Sequence, residues 1–230
     1  MRSLNSSVAT LGLIMLMVVS QACNKGGGAQ SSTSQNQKPP ETFADAQSAA
    51  TQSLAAFRQL VNKDNFKDLG FESLDEVASA TLGEPLPVVF VRLDQLREFK
   101  QDTDPNILLT AISQTNFPVM VRDQVRSSVV VEQVNGRWKT ASLGNGVLAK
   151  AIAAVRKPAA ANTPGSGQSL VYVGALGVYF LAQKVDNKWM LTPLAASSEL
   201  ELKAGAAMPA EQVFAKLALV ARTWKEDAPA

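Results

Sequence analysis

The chain of 230 residues has no histidine and a single cysteine. Without imidazole it can assemble neither a Ser-His-Asp nor a Cys-His triad, offers no histidine metal ligand, and has no imidazole titrating near neutrality. One cysteine closes no intramolecular disulfide and makes no thiolate zinc site, so the folded part must be held by an apolar core. Aromatic residues amount to only 6%, and neither sign of charge is in excess: 22 basic against 20 acidic residues leave a formal +2. That balance, without any recognisable nucleic-acid-binding motif, excludes a dedicated nucleic-acid binder. The apolar run Val8 to Val19 is shorter than the roughly 20 residues that a membrane-spanning helix needs.

What the amino terminus does contain is an address. Arg2, the run Val8 to Val19 and the small-residue exit Ser20-Gln21-Ala22 are the three parts of a signal peptide, predicted over residues 1–22. Directly after it stands Cys23, the sole cysteine. Val19-Ser20-Gln21-Ala22-Cys23 resembles the lipobox of bacterial lipoproteins, with Ser20 where leucine is usual. The resemblance implies cleavage before Cys23 and a diacylglycerol on its thiol. Two or three acyl chains, at about 0.8 kcal/mol per buried CH₂, make such an anchor permanent where one chain does not. Asn24 is not the aspartate that accompanies inner-membrane retention, so the resemblance favours the outer membrane and leaves its face, periplasmic or surface, open. Ser-Gln-Ala also suits ordinary signal peptidase, which would release a secreted protein with a free thiol. Residues 24–41 (NKGGGAQSSTSQNQKPPE) cannot bury enough surface to fold, so residues 23–41 are expected to be a tether reaching roughly 20–25 Å.

Residues 42–226 are expected to form one α+β domain with a mainly antiparallel sheet built from hairpins, packed against N-terminal and C-terminal helices. Thr42 with Asp45 suggests a capping box, and Ala46, Ala50, Leu54, Phe57 and Val61 recur at helical spacing. A second helix is expected from Ser73, with Glu76 completing a capping box, to Gly83. Pro85 and Pro87 then introduce a buried strand, Val88 to Val91, with a helical turn around Leu93 to Phe99 and a capped segment from Asp104-Pro105 to Ile112. Strands follow from Phe117. Asn135-Gly136 between Val125–Val134 and Arg137–Leu143 predicts a two-residue hairpin pairing Gln133 with Trp138, Glu132 with Lys139 and Val131 with Thr140, the indole facing the core. Val147–Val155 reads as a helix, Leu170–Val185 as a strand, Asp186-Asn187 as a turn, and Pro209 as the start of the last helix. Val134-Asn135-Gly136-Arg137-Trp138 and Val185-Asp186-Asn187-Lys188-Trp189 match in residue type, either as a duplicated hairpin or by coincidence. The overall pattern is similar to cystatin-like and NTF2-like folds, an analogy that carries no function.

Motifs for chemistry fail one after another. Gly144-Asn145-Gly146-Val147-Leu148-Ala149 fits a dinucleotide fingerprint, but no acid occurs from Gln133 to Val185 to hold a ribose, so these glycines read as a tight strand-to-helix turn. Asp102-Thr103-Asp104 imitates an EF-hand start, yet Ile107 and Ser113 stand where Gly and Glu are required. Neither G-x-S-x-G nor S-x-x-K is present. Asp75-Glu76, the densest acidic pair, diverges by about 100° on a helix and suits a cap better than catalysis. Charge is nevertheless uneven along the chain: residues 41–104 carry twelve acids against six bases, while residues 133–185 carry six bases and no acid. A basic surface containing Lys150, Arg156 and Lys157 could take an anionic headgroup or glycan, aided by the amides at the start of the helix after Gly146; equally, these cations could pair with the acidic half.

These features predict a lipid-anchored, non-catalytic cell-envelope protein, attached through Cys23, that binds an envelope protein or glycan. It needs no cofactor, no metal and no nucleic acid. The alternatives are anion binding through residues 133–185 and a hydrolase independent of histidine, for which two acids about 5–10 Å apart in a cleft would be the sign.

Overall fold

A computed structural model describes residues 45–156 and 167–224. Cys23, the tether and Lys157 therefore lie outside the described residues. Helix α1, Ala46–Leu60, buries Ala49, Ala50, Leu54 and Phe57 on one stripe. Its N-cap is Asp45, whose side chain accepts from Ser48 N–H at 2.7 Å; Thr42, where the sequence suggests a capping box, lies outside the described residues. Helix α2 is short, Asp75–Ser79. It stops before Gly83 because Thr81–Leu82 are drawn into a strand, β1, beside Met120 and Val119. Strand β2 spans Leu86–Phe90 and helix α3 spans Leu93–Glu98. After Asp104 only a 3-10 turn forms, Pro105–Leu108, because the chain from Thr110 onward is already ladder-bonded in strand β3, Thr110–Val121. Sequence reasoning starts this strand at Phe117. It misses the first half, which lacks apolar alternation and is ordered by β2.

Strands β4, Gln124–Val134, and β5, Arg137–Leu143, make the expected hairpin, with Gln133 opposite Trp138, Glu132 opposite Lys139 and Val131 opposite Thr140. Helix α4, Gly146–Val155, follows. The expected single strand at 170–185 is instead two, β6 (Ser169–Val173) and β7 (Val178–Val185), reversed by a 3-10 turn at Gly174–Leu176 with Gly177 at φ +62°. The stretch is apolar on both faces because both are covered, which hid its turn from a reading by alternation. Strand β8, Lys188–Pro193, returns across Asp186-Asn187; the short β9, Met208–Pro209, and helix α5, Ala210–Thr223, complete the described order. Asn135-Gly136 and Asp186-Asn187 all have positive φ, so both Trp-bearing hairpins turn through the same two-residue geometry.

The sheet runs β5-β4-β3-β2-β6-β7-β8-β9, with β1 beside β3; its pairings are antiparallel except β2 with β6. The fold is therefore α+β, with a nine-stranded, mostly antiparallel sheet. On one face, Phe117, Val119, Val129 and Val131 meet α1 and α2, while Val89, Val171, Phe180 and Leu191 meet α3 and α5. Leu86, Val88, Leu170 and Leu181 point the other way, toward Ile152 of α4. Among the described residues α4 is the only helix on that second face. A sheet so unequally covered leaves clefts on either side of α4.

Candidate functional site

Glycines seat α4. Gly144 takes φ +90°, making the strand-to-helix turn that the sequence suggests, and Asn145 caps the helix by accepting from Leu148 N–H at 3.0 Å. Gly146 lies against Gly70: a Cβ on Gly146 would stand 2.7 Å from the Gly70 Cα, and one on Gly70 only 2.0 Å from the Arg126 carbonyl oxygen. This close approach presses the first turn of α4 onto β4. Gly146 is buried beneath it, and the Asn145 cap takes the Leu148 N–H, one of the amides that the sequence offers to an anion.

Between α4 and the β3–β4 ladder lies a cleft of about 320 Å³, walled by Pro118, Met120, Val125, Ala149, Ile152 and Ala153. Its polar components are few. Asn116 belongs to the lining, is 1% exposed, and neither its carboxamide oxygen nor its nitrogen has a hydrogen-bond partner among the described residues. Strand alternation explains the placement: Phe117 faces α1, so Asn116 and Pro118 face α4. At the rim, Arg156 donates to the Glu84 carboxylate at 2.7 Å, to the Glu84 carbonyl at 3.0 Å and to Gln168 at 3.1 Å. An unpaired buried amide costs about 1–3 kcal/mol, which marks Asn116 as the most unusual polar group of this face.

The residues that the sequence singles out do not gather. Arg156 has its guanidinium committed to Glu84, the pairing of a late cation with the acidic first half that was the competing expectation. Lys150 is exposed on α4, and Lys157 and Cys23 lie outside the described residues. Asp104, read as a helix cap, accepts from Asn106 N–H at 2.9 Å, and Asn106 in turn accepts from Trp189 Nε1 at 2.7 Å. Among the described residues no group of three or more acids or cysteines is placed to hold a metal, and no helix is long and apolar enough to cross a membrane.

A second polar cluster joins α2 to the β3–β4 turn. A bulge between Val119 and Met120 leaves Arg126 out of the ladder register, turning its side chain toward α2. There it donates to Glu72 at 2.5 Å and to Glu76 at 2.7 Å. Burial alone would raise the Glu76 carboxyl, but the Glu72 N–H, at 2.8 Å, and the Arg126 guanidinium together hold it below its ordinary value of 4.5. Two acids thus converge, beside a cleft of about 360 Å³, as a histidine-free hydrolase would need. A general acid, however, requires a raised pKa, and Glu76 is driven the other way. The cluster has the chemistry of a structural tie. A third feature is the stacked pair Tyr172 and Tyr179, centroids 4.4 Å apart with Phe90 edge-on; burial, reinforced by the Tyr172 hydroxyl, pushes the Tyr179 phenol up to about 12.

Sequence reasoning missed Asn116 and Glu84. A signal existed for Asn116, since asparagine is depleted in strands and this one sits between Thr115 and the apolar Phe117. No family model matches the chain, and no curated protein or solved structure matches it either.

Proposed function

We propose that the protein is a lipid-anchored, non-catalytic component of a bacterial cell envelope, held through Cys23 to the outer membrane, where its domain binds an envelope partner. The observation that carries this reading is the placement of the only cysteine directly after the small-residue exit of a signal peptide, followed by a Gly/Ser/Gln tether. The unevenly covered sheet supports the binding half, because it offers a cleft with a polar group that none of the described residues satisfies. Cells grown with labelled palmitate provide the test. The natural chain should carry label in the membrane fraction and Cys23→Ala should carry none; equal labelling of both, or none of either, refutes the anchor.

Anion binding by Lys150, Arg156 and Lys157 is the weaker reading, because Arg156 is already neutralised by Glu84.

A further inference from the structure

We infer that the cleft between α4 and the β3–β4 ladder binds a peptide segment, taking one aliphatic side chain between its walls while Asn116 reads the N–H and C=O of the same residue. The inference deepens the binding half of the proposed function and is independent of the lipid anchor.

The chemistry of the lining selects the ligand. Pro118, Met120, Val125, Ala149, Ile152 and Ala153 form walls without hydrogen-bonding side chains, suited to an aliphatic group. Met120, unbranched and only partly buried, supplies the adaptability such a pocket needs. Asn116 adds an acceptor oxygen and a donor nitrogen on one rigid carboxamide, both buried and both unpartnered among the described residues. An extended residue presents its own N–H and C=O on one side of the chain, the complementary pair. A bare acyl chain would leave both Asn116 groups unsatisfied, and a sugar would place its hydroxyls against the apolar walls. An anion would meet Glu84 and Asp123, with the nearby Arg156 already paired to Glu84. A neutral amide carrying an aliphatic substituent is the class that leaves nothing unpaired.

The test uses the full-length protein and two probes, N-acetyl-leucine N′-methylamide and the ester 2-acetoxy-4-methylpentanoic acid N-methylamide, which differ only in an oxygen where the leucine has its N–H. Binding is followed by the side-chain amide NMR signals of Asn116 and, in the variants, by the backbone amide signals of Val125 and Ala149 in the same cleft. The amide probe should shift those signals saturably, and the ester should bind about tenfold more weakly, the worth of one hydrogen bond. Asn116→Leu should lose the amide preference with Tm unchanged or raised, because the carboxamide has no partner among the described residues to lose. Ile152→Trp, filling the cleft, should block both probes. Unmoved Asn116 signals, equal affinity for the two probes, or a lowered Tm with unaltered binding in Asn116→Leu would each overturn the inference. If Asn116→Leu does not fold, the probe pair on the natural chain still decides it. The palmitate result is separate: a labelled protein that ignores both probes refutes the ligand and leaves the anchor standing.

Discussion

Replacing Glu76 by glutamine removes one of two carboxylates from a guanidinium that is only 10% exposed. Glu76 is itself 16% exposed, whereas Glu72, bonded to the same arginine, is 68% exposed. The two bonds look alike in distance and should differ in worth. A charged hydrogen bond withdrawn from water contributes about 1.5–3 kcal/mol, and Arg126 already has one buried nitrogen, Nε, without a partner among the described residues. Glu76→Gln should therefore cost about 2–3 kcal/mol, a Tm fall of about 4–12 °C for a domain of this size. Glu72→Gln should cost less than about 1 kcal/mol, as solvated pairs do. Adding Arg126→Met to Glu76→Gln should recover much of the loss, because a buried ion pair removed whole costs less than one partner left alone. The pH dependence follows from linkage. The folded carboxyl lies below its ordinary 4.5, so its contribution is complete above that value and is lost as pH falls through the folded value. Urea unfolding followed by tryptophan fluorescence at pH 7 and in acid reads all of this. Equal costs at Glu72 and Glu76, or a Glu76→Gln deficit that persists undiminished at low pH, would refute the reasoning.

Gly70→Ala places a methyl 2.0 Å from the Arg126 carbonyl at a backbone φ of +100°, and should cost about 3 kcal/mol or more; a shift in urea midpoint worth under 1 kcal/mol would contradict the seating of α4. Gly136→Ala meets no neighbouring atom but keeps φ +75°, so it should cost only about 1–2 kcal/mol by the same assay, well below Gly70→Ala. Tyr179, pushed up to about 12 by burial and the Tyr172 hydroxyl, should ionise in the folded protein well above an ordinary phenol. Ultraviolet titration should show this late step and its disappearance in Tyr179→Phe. The sign is that of an acid with a raised folded value: stability falls as pH climbs from 10 toward 12.

The sequence was most legible where one local rule decides the outcome. Asn135-Gly136 dictated both the turn and the register that pairs Glu132 with Lys139, whose charges meet at 3.2 Å, and puts Trp138 against the α1 core. Gly144 to Gly146 announced the turn into α4, and Pro209 announced the start of α5. Legibility ended where partners distant in sequence decide. The first half of β3 is a strand because β2 and β4 flank it, and α2 is cut short because Thr81 and Leu82 find β3. The 170–185 segment hid its turn because covering both faces erased the alternation that marks a strand's length. The candidate site belongs to this second kind. Asn116 becomes unusual only when α4 closes over it, and Arg156 loses its availability only when Glu84, distant in the chain, arrives at its guanidinium.

Intact mass of the protein extracted from membranes, with Cys23→Ala beside it, tests the central claim most directly. The account predicts a chain that begins at Cys23 and carries two or three acyl groups, absent from Cys23→Ala. A soluble chain with an unmodified Cys23 thiol would contradict it.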